Sequence, residues 1–145
     1  MKKYLLVLCA FISFAASSQI RKIPAEVTSA FEAKYPKAEK VEWKDNLTNF
    51  EASFTYNNAE TAAKFTSKGE WLVTEKKIEF DALPASVRDG FKKSKYEDWE
   101  IRGIKIIDEK DKALNYRILV KKNGVQKKYL FYDASGKLLR DPIAV

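Results

Sequence analysis

One motif occurs twice in this 145-residue chain and limits what it can fold into. Ile23-Pro24-Ala25-Glu26-Val27, followed by Ala30-Phe31 and Tyr35, returns about 60 residues later as Leu83-Pro84-Ala85-Ser86-Val87, followed by Gly90-Phe91 and Tyr96. A second pair, Phe65-Thr66-Ser67-Lys68-Gly69-Glu70-Trp71 and Tyr132-Asp133-Ala134-Ser135-Gly136-Lys137-Leu138, lies slightly further apart. The second copy therefore carries a few extra residues in its middle. The chain reads as a duplication, with one repeat at residues 19–80 and another at 81–145.

Each copy predicts the same local structure. Proline suits the first helical position, where its missing donor has no partner to lose. Val27, Ala30, Phe31, Lys34 and Tyr35 share one face at helical spacing, and Pro36 stops the helix. Val87, Gly90 and Phe91 repeat that stripe. Gly90 costs about 1 kcal/mol against alanine inside a helix, which implies close packing of that helix on a sheet. The period then changes to two. Phe50, Ala52, Phe54 and Tyr56 alternate with Glu51, Ser53 and Thr55, and Asn57-Asn58 marks a turn. In the second copy Leu114, Tyr116, Ile118 and Val120 alternate, and Asn123-Gly124 is the clearest hairpin signal. Gly103 interrupts the alternation between Ile101 and Ile104 and predicts a bulge. The expected fold is α+β: a tandem repeat of one helix plus about four antiparallel strands, helices on one face of a curved sheet. A single unit of about 60 residues is marginal alone, so the halves are expected to share a sheet edge or pack side by side as one rigid unit.

The start of the chain reads as a targeting segment. Lys2 and Lys3 precede an uncharged apolar stretch from Tyr4 to Ala15, followed by the small residues Ala16, Ser17 and Ser18. That is the signal-peptide pattern, with residues 1–18 removed, and the stretch is too short for a spanning helix. A periplasmic or secreted location follows, with no stable membrane span after cleavage. Cys9 is the only cysteine and reads as apolar filler, since Leu8 stands where a lipidated cysteine wants a small residue. There is no histidine. Ser-His-Asp and Cys-His catalysis, imidazole-ligated metals, thiolate clusters and disulfides are thereby excluded, and no cofactor or metal site is expected. The net charge of +7 is spread in alternating signs over most of the chain. The Lys121, Lys122, Lys127 and Lys128 cluster reads as protection of a hairpin tip or sheet edge, not as a nucleic-acid site.

The proline-led motif Ile23–Pro36, the Val41-Glu42-Trp43 strand start, the Phe65–Trp71 hairpin and the second start Leu83–Val87, behind a short export signal, are what carries a family likeness. The chain resembles the PepSY-like, beta-lactamase-inhibitor-like family of exported bacterial proteins over essentially all of residues 19–145. The resemblance implies a tandem helix-plus-four-strand fold with an open sheet face and a periplasmic or outer-surface location. It implies no catalytic residues. The secreted inhibitors behind the family name bind through an aromatic, polar concave sheet and carry disulfides, which this chain lacks after Cys9.

A sheet covered on one side leaves polar and aromatic residues free for a partner. Alternation places Glu51, Ser53, Thr55 and Lys64 opposite Phe50 and Phe54, and Arg117 opposite Tyr116 and Ile118. On the later strand it places Lys128 and Tyr132 opposite Tyr129 and Phe131. These residues form the expected open face of an exported, non-enzymatic binding module, inhibitory or regulatory, for an envelope or extracellular protein or a small ligand. Trp43, Trp71 and Trp99 fit either layer. The alternatives are a passive structural component of the envelope, or a carboxylate-dependent enzyme using Glu42, Glu51, Asp108, Glu109 or Asp111. Nothing in the spacing of those acids converges them.

Overall fold

The computed structural model describes residues 22–144. The expected export signal lies outside the described residues, and among these no helix is long and apolar enough to cross a membrane. Helix α1 (Ala25–Lys34) is followed by β1 (Glu39–Asp45), β2 (Phe50–Tyr56), β3 (Ala59–Phe65) and β4 (Trp71–Ile78). A short 3-10 turn at Phe80–Ala82 leads into α2 (Ala85–Lys92), then β5 (Glu100–Glu109), β6 (Asn115–Lys122), β7 (Gln126–Asp133) and β8 (Leu138–Arg140). All eight strands form one open antiparallel sheet in sequence order.

Local chemistry explains the breaks. Pro24 and Pro84 sit one residue ahead of their helices, and their carbonyls accept the first intrahelical bonds from Val27 and Val87 at 3.1 and 3.0 Å. Asn57 and Asn58 take φ of 49° and 60°, the left-handed pair that joins two strands most tightly. The bulge expected at Gly103 appears as a register shift between Ile101 and Gly103.

The halves join through β4 and β5, where Thr74 faces Asp108, Lys76 faces Ile106 and Ile78 faces Ile104. Residues paired across strands point to the same side of a sheet. Thr74 is bonded by the hydroxyl of Tyr35, just past α1, and Ile104 packs with Val87 and Phe91 of α2. Both helices therefore lie on the same face.

Each helix has its own core. Under α1, Val27, Phe31 and Tyr35 meet Phe50, Ala52, Phe54, Ala63 and Phe65. Phe31 is the hub, with ring centroids 4.9 Å from Phe54 and 5.2 Å from Trp43. Under α2, Val87, Phe91 and Tyr96 meet Ile104, Tyr116, Ile118, Val120, Leu130 and Tyr132. Fully burying one such apolar side chain is worth about 1.5–3 kcal/mol. Trp43, Trp71 and Trp99 all flank these cores on the helix side.

The strand-linking turns also dock on the helices. A Cβ on Gly69 would lie 2.5 Å from the Glu26 carbonyl oxygen, and one on Gly136 would lie 2.0 Å from that of Ser86. Both glycines have positive φ, 80° and 85°. Gly90 meets Gly136: its Cβ would lie 2.1 Å from the Gly136 carbonyl oxygen. The close approach inferred from Gly90 is thus to a turn and not to the sheet itself.

The two cores treat their tyrosines differently. The hydroxyls of Tyr35 and Thr74 are 2.5 Å apart. The fully buried Tyr132 hydroxyl has no hydrogen-bond partner among the described residues. Ser94 lies beside it, but its hydroxyl donates to the Phe91 carbonyl at 2.7 Å. Burial pushes the Tyr132 pKa up, and Ser94 offsets part of that shift. A buried, unpaired hydroxyl costs about 1–3 kcal/mol. Tyr132→Phe is expected to raise unfolding stability by about 1 kcal/mol, and Tyr35→Phe to lower it by about as much, both read by urea denaturation.

Candidate binding face

No described element covers the sheet face opposite the helices. Its residues follow from the register. Ser53 lies across from Glu42 on one side and Ala62 on the other; Glu51 faces Lys44 and Lys64; Thr55 faces Glu60. Across the junction of the halves, Glu75 faces Ala62 and Ile107, Lys105 faces Arg117, and Arg117 faces Phe131. Leu119 faces Tyr129.

Glu51, Ser53, Thr55, Lys64 and Arg117 therefore occupy the open face as expected from the sequence. Tyr132 and Lys128 do not. Tyr132 pairs with Tyr116 and is 0% exposed in the second core, and Lys128 pairs with the buried Val120. The reason lies in β7 itself. Tyr129-Leu130-Phe131-Tyr132 is an unbroken apolar and aromatic run, so alternation says nothing about which side faces the helices. Pairing with β6 decides, and it puts Tyr129 and Phe131 on the open face.

The face divides into two characters. Its first half is polar and self-paired: Lys64 Nζ lies 3.3 Å from Glu51, and Lys77 donates to Glu60 at 2.9 Å. The second half centres on Glu75. Its carboxylate accepts from Lys105 Nζ at 2.8 Å and from Arg117 Nη2 and Nη1 at 2.8 and 3.3 Å. Arg117 in turn lies over the Tyr129 ring at 4.9 Å, and Arg140 lies over Phe131 at 3.6 Å. Two shallow hollows meet at Glu75. One, of about 270 Å³, runs past Lys77 and Ser53; the other, of about 590 Å³, runs past Ile107, Arg117, Phe131 and Arg140. Ile107 and Phe131 are nearly buried although no element lies over them.

Burial opposes ionisation of Glu75, but the Lys105 hydrogen bond and the charges of Arg117 and Lys105 outweigh it. They hold the carboxyl below its usual range. A depressed folded-state pKa stabilises above the unfolded value of about 4.3, and that contribution is lost as pH falls through the lower folded value. Stability of the chain is expected to decline below about pH 4.5, and less steeply for Glu75→Gln. Urea titrations of both proteins from pH 6 to pH 2.5 check this. Parallel curves would show that Glu75 carries no such linkage.

The acids weighed for catalysis are not brought together. Glu42 and Glu51 lie on the first half of the open face, and Asp108 pairs with Thr74 on the helix side. Glu109 is bonded by Lys112, and Asp111 sits in a turn with φ of 59°. Glu75, Tyr129, Phe131 and Arg140 were not singled out from sequence. Their grouping depends on pairing between strands of different halves, which no local pattern records.

A family model described as "Putative beta-lactamase-inhibitor-like, PepSY-like" matches residues 48–140. Solved structures share the fold. A DUF2874 family protein from Bacteroides ovatus is 27% identical, with a TM-score of 0.80 over 84% of this chain and 88% of that one. A protein from Bacteroides eggerthii described as "putative periplasmic" is 24% identical, with a TM-score of 0.80 over 84% and 89%. A BLIP-like protein from Bacteroides fragilis is 22% identical, with a TM-score of 0.78 over 83% and 86%. No curated protein matches.

Proposed function

This chain belongs to the PepSY-like, beta-lactamase-inhibitor-like family, and from that premise we propose that it is an exported, non-enzymatic module that binds a protein on the second half of its open sheet face. One observation carries the reading. An uncovered face holds Arg117 and Arg140 stacked on Tyr129 and Phe131, with Arg117 fixed by Glu75. Arginine and tyrosine dominate binding hot spots because they offer broad contact area and directional donors with few freely rotating bonds left to order. Guanidinium groups already stacked and bonded lose little freedom on binding. The first half of the face, with its charges paired among themselves, acts as a polar rim. The role is inhibitory or regulatory: the module occupies a surface of its partner without chemistry of its own.

Export through residues 1–18 and a periplasmic location belong to the same proposal, and the described periplasmic neighbour accords with them. So does descent from a duplicated unit at 19–80 and 81–145. Gly69 on the Glu26 carbonyl and Gly136 on the Ser86 carbonyl are the same contact made twice, at matching motif positions.

The test is capture of envelope proteins by the wild-type chain, Arg117→Glu and Tyr129→Ala, with folding followed in parallel. A partner held by the first and lost from both variants supports the proposal. Equal capture by all three folded proteins overturns the assignment of the face.

A further inference from the structure

At the far end of the second half, at the helix-side margin of the second core and away from the centre of the open face, lies a cleft of about 550 Å³. Tyr96 and Trp99, from the segment after α2, form one wall; the β6–β7 hairpin and Ile143 form the other. Cations crowd its rim. Lys122 Nζ lies 5.7 Å from the Trp99 ring centroid, and Lys95 and Lys128 lie 5.1 and 5.8 Å from that of Tyr96. The one acid against these lysines is Asp141, 3.5 Å from Lys95 and 3.8 Å from Lys128, which also accepts the Tyr96 hydroxyl. Lys122 and Lys127 have no ion-pair partner among the described residues.

Two large apolar side chains project from the same end. Val125, in the hairpin loop, is 87% exposed, and Ile143 is 76% exposed. Neither packs on a core. A pocket for a small soluble anion would have no use for apolar groups standing outside it. The first half shows that the arrangement is not a by-product of the fold. Its own hairpin tip is Asn57-Asn58 followed by Ala59 and Glu60. Its cleft beside Tyr35 and Trp43 is lined by Glu32, with Lys34 over the Tyr35 ring at 5.9 Å as the counterpart of Lys95 but with no counterpart of Lys122, Lys127 or Lys128 in its lining.

Exposed apolar residues ringed by lysines, with the half-buried Trp99 beside them, are the chemistry of attachment to an anionic lipid surface. The apolar tips enter the headgroup boundary, lysine stems follow them while the ammonium groups stay with phosphates, and the partly exposed Trp99 ring sits at the interface. We infer that this end of the molecule docks on anionic lipid bilayers. The docking end uses the hairpin tip and not Arg117 or Tyr129, so the two readings are tested by different variants.

Co-sedimentation of the full chain with vesicles tests the inference. Phosphatidylcholine alone is compared with phosphatidylcholine containing about a third phosphatidylglycerol, at low and physiological salt. Expected are tighter binding to the anionic vesicles, weakening as salt rises, and at least a 25-fold loss in Lys122→Glu/Lys127→Glu, from about fivefold per lysine at ~1 kcal/mol each. Val125→Asp weakens binding to the same vesicles. Lys37→Glu/Lys68→Glu changes net charge equally, at exposed positions of the first half, and is expected to retain binding. The apolar amino-terminal segment is common to all variants and cancels in the comparison. Three results would overturn the inference. One is equal binding to both vesicle types. Another is equal losses in the two lysine pairs. The third is a site that saturates with inorganic phosphate, is lost in Lys122→Glu/Lys127→Glu, and shows no vesicle preference, which marks a small-anion pocket.

Discussion

Gly136→Ala is expected to destabilise the chain by about 3–5 kcal/mol, read as a lower urea midpoint with unchanged slope. Two effects add. A φ of 85° costs an alanine about 1–2 kcal/mol by itself. The new Cβ would also stand 2.0 Å from the Ser86 carbonyl oxygen, where both neighbours are backbone and neither can swing aside. Relief requires lifting the turn from α2, which breaks the 2.6 Å bond from Ser86 Oγ to the Ala134 carbonyl. Gly69→Ala is expected to follow in the first half, somewhat less severely, because its Cβ would stand 2.5 Å from the Glu26 oxygen, a milder clash. Gly90→Ala gives a sign test. Helix propensity alone favours alanine there by about 1 kcal/mol, whereas contact with the Gly136 carbonyl at 2.1 Å makes the change a net loss. A neutral Gly136→Ala would show that the turn does not rest on the helix.

Arg117→Glu and Tyr129→Ala are each expected to weaken partner binding by about 100-fold, the ~3 kcal/mol typical of a hot-spot side chain. The reasons differ. Arg117→Glu sets a carboxylate against Glu75 and removes the cation stacked on Tyr129 at 4.9 Å. Tyr129→Ala removes the ring that holds the guanidinium flat. Ser53→Ala, on the self-paired first half of the face, is expected to change affinity by less than about fivefold, as rim residues do. Titration of the captured partner against each variant reads these numbers. Equal losses at Ser53 and Tyr129 would spread the interface over the whole face.

Sequence carried the local structure well where residue chemistry permits one answer. Proline before Ala25 and Ala85 marked the helix starts, Asn57-Asn58 and Asn123-Gly124 marked hairpins, and Gly103 marked the bulge. The mixed helix and antiparallel-sheet class followed from the change of period. What sequence could not carry was pairing at a distance. The continuous sheet depends on Ile78 meeting Ile104. The centre of the open face depends on Glu75 meeting Lys105 and Arg117, which lie 30 and 42 residues further along the chain. On β6, Tyr116-Arg117-Ile118 alternates cleanly, and Arg117 lies on the face that alternation gives it. On β7 the run from Tyr129 to Tyr132 offers either face the same apolar character, and Tyr132 and Lys128 lie on the helix side, not on the expected open face. The tryptophans were ambiguous for a related reason: large amphipathic rings suit a core edge and a surface equally, and here all three took the core edge.

The central claim is that the sheet face away from both helices is the working surface. Photo-cross-linking in the living cell tests it most directly, with the reactive side chain placed at position 119 or position 89. Leu119 lies on the open face beside Tyr129, and Asp89 is exposed on the outer side of α2. A discrete adduct with another protein is expected from position 119, absent from position 89 and lost on adding Tyr129→Ala. Adducts from position 89 alone would place the working surface on the helix side and contradict the claim.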